Sequence, residues 1–69
     1  MKHNMEESQV WRERDRNDPK QYSIFLVLRV ANGKATLLLL DSSYRTPGVK
    51  YVLYLGSLAY NRLRWSRLS

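Results

Sequence analysis

The side chains that could do chemistry are mostly guanidinium groups. Arginines stand at Arg12, Arg14, Arg16, Arg29, Arg45, Arg62, Arg64 and Arg67. Arg donates paired hydrogen bonds to phosphate and to the guanine edge, which Lys does less well. The carboxylates are Glu6, Glu7, Glu13, Asp15, Asp18 and Asp41, and all but Asp41 are interleaved with basic residues in the first twenty positions. A general base needs a tuned pKa in a cleft; this spacing reads as a solvated charged arm. Ser42 and Ser43 have no His to activate them, because the one His, His3, lies near the N-terminus. With Cys 0 and Gly 3, there is no thiolate, disulfide framework, zinc set or glycine-rich phosphate loop. No nucleophile–base–orienter set is present, so a non-enzymatic protein without cofactor or metal is expected.

Bulk properties narrow the partner. A chain of 69 residues makes one small domain and buries only about 60% of its unfolded surface. Lys+Arg at 12 against Asp+Glu at 6 gives a formal net charge of +6, which concentrates polyanions near the surface. The longest apolar runs, residues 24–28 and 37–40, fall far short of the ~20 residues of a membrane-spanning helix. No apolar stretch follows Lys2, so no signal peptide and a cytoplasmic location are expected.

The elements that must position these residues divide at Asn17-Asp18-Pro19, a break signal. Residues 1–20 read as a charged, partly disordered arm, with 1–8 a floppy tail and 9–16 docking through Trp11 with room for one or two helical turns. Residues 21–69 read as one sheet domain. From Tyr22 the composition turns β-branched and aromatic, and Asn32-Gly33 between two apolar runs is a strong hairpin signal. That turn predicts Ala31 opposite Lys34, Arg29 opposite Thr36 and Leu28 opposite Leu37. Alternation then assigns Ile24, Leu26, Leu28, Val30, Leu37 and Leu39 to the core face. Pro47-Gly48 suits a type II turn. A third strand follows, with Val49, Tyr51, Leu53 and Leu55 on one face and Lys50, Val52 and Tyr54 on the other. Residues 58–68 read as a C-terminal helix lidding the sheet, with a fourth strand over 62–66 as the rival. The expected fold is therefore α+β: a three-stranded antiparallel meander with a C-terminal helix or fourth strand on one face.

On that scaffold Arg29, Thr36, Lys50 and Tyr54 share the second sheet face, Arg45 sits in the connecting loop, and Arg62, Arg64 and Arg67 cluster near Trp65. Basic residues interleaved with aromatics that can stack on bases point to nucleic acid. The order from Tyr22 to Leu58, with its Tyr54-Leu55-Gly56 step, resembles the three-stranded-sheet-plus-helix DNA-binding modules of some transposases and tyrosine integrases and of ethylene-response-type factors. The resemblance implies a sheet lying in the major groove, with DNA favoured over RNA. It implies contacts from Arg29, Thr36, Lys50 and Tyr54, and a backbone contact from Arg45. The alternative is a protein-interaction module or homodimer, since the second face also keeps Val27, Leu38, Leu40 and Val52.

Overall fold

The computed structural model describes residues 5–15, 17–56 and 64–69. Five strands form one antiparallel sheet: β1 (Val10–Arg14), β2 (Tyr22–Ala31), β3 (Lys34–Ser42), β4 (Lys50–Tyr54) and β5 (Trp65–Arg67). Their spatial order is β4-β3-β2-β1-β5. The described residues are all-β, not the expected α+β, with a strand at the C-terminal segment as the rival reading had it, and none of them forms a helix able to cross a membrane.

The central hairpin forms where its turn residues place it. Asn32 and Gly33 both take positive φ, 55° and 73°, as a type I′ turn requires. Next to the turn the expected register holds, with Ala31 opposite Lys34, Val30 opposite Ala35 and Arg29 opposite Thr36. A bulge then leaves Leu28 out of the ladder, so Val27, not Leu28, faces Leu37. One extra residue on one strand reverses which side chains point inward. The core side of β2 is therefore Ser23, Phe25 and Val27, all 0–1% exposed, while Ile24, Leu26 and Leu28 lie on the half-exposed outer side. This corrects the expected core assignment for Ile24, Leu26 and Leu28, while Val30, Leu37 and Leu39 face the core as expected. Both alternating sets are apolar, so the pattern did not discriminate; the large Phe25 ring decides, because only the inner side surrounds it with other rings.

Those rings also show that the sheet curls. Phe25 on the middle strand meets Trp65 on β5 at 5.6 Å between ring centroids and Tyr51 on β4 at 5.7 Å. Each edge strand lies two strand spacings from β2, roughly 10 Å in a flat sheet. Side chains from opposite edges converge on one ring because the sheet wraps around its inner face. The wrapped core comprises Trp11, Phe25, Val27, Ala35, Leu37, Leu39, Leu53 and Trp65, with Met5 against it.

Two segments differ from expectation. Residues 10–14 form β1 rather than a docking arm: Trp11 and Glu13 point inward, and Val10, Arg12 and Arg14 outward. Trp11 docks as expected, 1% exposed, and its indole N–H donates to the Gln9 side-chain oxygen at 2.8 Å. The predicted helix over 58–68 is β5 where described, with Trp65 opposite Glu13 and Arg67 opposite Trp11; its positions 58–63 lie outside the described residues. The physical reason is one of coverage. β1 offers an open edge, and pairing with it brings Trp65 of β5 onto the core side of the sheet.

The β3–β4 connection follows its sequence. Gly48 has φ 90°, and its N–H donates to the Leu39 carbonyl at 2.8 Å. On β4, Tyr51 and Leu53 face inward, and Lys50, Val52 and Tyr54 outward, as alternation predicted.

Candidate nucleic-acid interface

Antiparallel pairing places paired residues on the same side of a sheet, so the ladder sorts the cations. Trp11, Ser23, Ala35 and Leu53 face inward. Their neighbours in sequence therefore face out, and the outer face carries Arg12 and Arg14 from β1, Arg29 from β2, Lys34 from β3 and Lys50 from β4. Asp41 is the carboxylate on that face among the described residues, and it accepts a hydrogen bond from the Tyr22 hydroxyl at 3.3 Å. Thr36 lies between Arg29 and Val52 across the strands. Tyr54, 56% exposed, stands opposite Lys34, whose ammonium lies 5.4 Å from its ring centroid.

Four of the expected site residues, Arg29, Thr36, Lys50 and Tyr54, are thus brought onto one face. The sequence did not single out Arg12, Arg14 and Lys34 for this face. The signal was present for Lys34, which immediately follows the turn; for β1 it was hidden, because a charged segment alternating with two apolar residues shows no strand until an edge receives it.

Between those cations runs an apolar row. Lys50, Leu38, Leu26 and Val10 are neighbours across four strands, and Val52 and Leu40 add exposed aliphatic surface at 56% and 43%.

The other expected arginines lie elsewhere. Arg64 donates through Nη2 to Glu13 Oε2 at 2.7 Å, and Arg45 Nη2 stands 3.7 Å from Glu13 Oε1. Arg45 also lies over the rings of Tyr44 and Tyr51, at 5.0 and 5.3 Å. Glu13 is buried, at 8% exposure, so this carboxylate is held by two guanidiniums on the inner side where the sheet edges approach. Arg67 is exposed on β5 on the side of Trp11, away from the outer-face group. Arg62 lies outside the described residues. The expected cluster near Trp65 is therefore split among the described residues: Arg64 is an ion-pair partner, and Arg67 is exposed on the edge strand β5.

The same inner edge bounds a cleft of about 130 Å³ between β4 and β5, lined by Phe25, Tyr51, Leu53, Trp65, Glu13 and Arg45 among others. Against known proteins the chain matches no family model, no curated protein and no solved structure.

Proposed function

We propose that the protein is a non-enzymatic nucleic-acid-binding module that engages phosphates with the outer face of its curled sheet. The observation that carries this reading is the charge ratio on that face: Arg12, Arg14, Arg29, Lys34 and Lys50 against Asp41. Cations spread over four neighbouring strands match a linear polyanion better than a compact one. The exposed Tyr54 ring adds a stacking surface beside Lys34. Arg45 and Arg64, tied to Glu13 on the inner side, are not part of this outer-face group.

Fluorescence anisotropy across a salt series tests the reading. Neutralising five phosphates gives a slope of log affinity against log salt of about −3.5 on single strands to −4.5 on duplex. Absence of binding at low salt, or a flat salt response, ends it. Arg29→Ala and Lys50→Ala should each reduce the slope by roughly one contact.

The apolar row favours a second reading, in which two copies pack outer face to outer face through Leu26, Leu38 and Val52. Its test is sedimentation without nucleic acid. A concentration-dependent doubling of mass supports it, and a monomer at high concentration removes it. Absorbance at 260 nm in freshly purified protein separates the two readings at once.

A further inference from the structure

We infer that the cleft between β4 and β5 receives a single unpaired nucleobase, with the adjoining phosphate held by Arg45 and Arg64. This rests on the nucleic-acid reading above and deepens it from a polyanion surface to a single-strand reader. Size comes first: a cavity of ~150 Å³ in an engineered protein encloses one benzene ring, so at about 130 Å³ and open on one side the cleft admits the ring edge of one pyrimidine rather than a whole enclosed base. The walls are suited to a flat guest, because Phe25, Tyr51 and Trp65 present three rings to one space, at interplanar angles of 82° and 37° to Phe25.

Charge then selects among flat guests. A carboxylate beside aromatic rings would by itself invite a cation. Here Glu13 already faces two guanidiniums, so the local sum is positive and a cationic guest is repelled. The chain's own Arg45 holds the cation position over Tyr51. The Nε–H of Arg64 is buried, but its side chain keeps 28% exposure, so the guanidinium's outer N–H groups remain for a phosphate oxygen. Ring walls with donor guanidiniums at the rim describe a neutral planar ring joined to an anion, which is a nucleotide unit. Guanidinium planes also stack on bases, so Arg45 can cover an inserted ring as well as bind its phosphate.

Connectivity with the outer face completes the argument. Strand β4 belongs to both sites: Lys50 and Tyr54 face outward, while Tyr51 and Leu53 face the cleft and Val52 borders it. A strand laid over the outer cations and crossing the β4 edge can turn one base into the cleft. A duplex cannot, because its bases are paired and stacked.

The test compares three probes of equal length at one salt concentration: a single-stranded oligothymidylate, the same backbone with abasic sites, and a duplex. The base-bearing single strand should bind at least about fivefold tighter than the abasic one, the lower end of what stacking one base contributes. It should quench tryptophan emission along the same isotherm, whereas the abasic strand should not. Tyr51→Leu, which keeps apolar bulk but removes a ring, should bring the ratio towards one with the salt slope unchanged. Arg45→Ala, in the exposed loop, supplies a second variant should Tyr51→Leu fail to fold, and it should weaken the base-bearing strand more than the abasic one. Equal binding of base-bearing and abasic strands with a steep salt response overturns this inference and leaves the outer-face reading standing. Tighter binding of duplex also overturns it. No binding of any probe at low salt overturns both.

Discussion

Replacing Glu13 with Gln should move stability and nucleic-acid affinity in opposite directions. Glu13 is one strand residue with two cationic partners: Arg64 at 2.7 Å on the β5 side and Arg45 at 3.7 Å in the β3–β4 connection. It therefore ties together three parts of the wrapped sheet. A hydrogen bond to a charged group contributes about 1.5–3 kcal/mol, and the looser Arg45 contact adds on the order of 0.2–1 kcal/mol. The larger cost of breaking a fully buried pair, about 3–5 kcal/mol, does not apply. Both guanidiniums keep 28–29% exposure and can turn to water. Gln also retains an oxygen that accepts from Arg64. The expected loss is about 1.5–2.5 kcal/mol, against a total on the order of 3–10 kcal/mol for a chain this short. At about 4–8 °C per kcal/mol this lowers Tm by roughly 6–20 °C, readable by circular dichroism with urea unfolding as a check. The same change raises the formal net charge of +6 by one and removes the carboxylate that neutralises two guanidiniums, so affinity for an oligonucleotide should increase and its salt dependence steepen. A stability change under about 0.5 kcal/mol would show that water already screens the trio, and unchanged affinity would show that its arginines do not reach the nucleic acid.

Other perturbations probe other parts of the design. Phe25→Ala removes the ring on which both sheet edges converge; it should cost about 3–5 kcal/mol and leave the chain largely unfolded at 37 °C by near-ultraviolet circular dichroism. Gly33→Ala should cost about 1–2 kcal/mol in urea unfolding through its φ of 73° alone, because nothing lies within 4 Å of an added Cβ. Leu38→Asp, half-buried in the middle of the outer face, should abolish any concentration-dependent mass in sedimentation and, by adding a carboxylate among the cations, weaken oligonucleotide binding. Arg64→Ala should destabilise the fold in the same range as Glu13→Gln, because it strips a buried carboxylate of its closest partner.

Local conformational rules carried over wherever a single residue type governs the backbone. Asn32-Gly33 and Pro47-Gly48 sit in the turns expected of them, and those turns join β2 to β3 and β3 to β4. The outer face of β4 and the grouping of Arg29, Thr36, Lys50 and Tyr54 were legible for the same reason, since alternation from a fixed turn needs no knowledge of the partner. The bulge at Leu28 was not legible. Residues 24–28 are apolar on both alternating sets, so either side of β2 could be buried and nothing local marks the extra residue. The candidate site was divided likewise: Arg29 and Lys50 on the outer face follow from the turns, whereas Arg12 and Arg14 needed the pairing of β1, and the Glu13–Arg45–Arg64 trio joins positions up to 51 residues apart.

The residues alone determined that this is a small basic chain with a β-hairpin at its centre, because composition and turn chemistry act at short range. Whether the charged segment around Trp11 and the arginine-rich segment around Trp65 became arm, helix or strand was decided only by the folded sheet. An edge strand has no stability of its own; its hydrogen bonds and buried side chains exist only once a neighbouring edge is there to receive them. Once β1 and β5 pair, Trp65 joins the core, Arg64 reaches Glu13, and Arg12 and Arg14 face out with Arg29, Lys34 and Lys50.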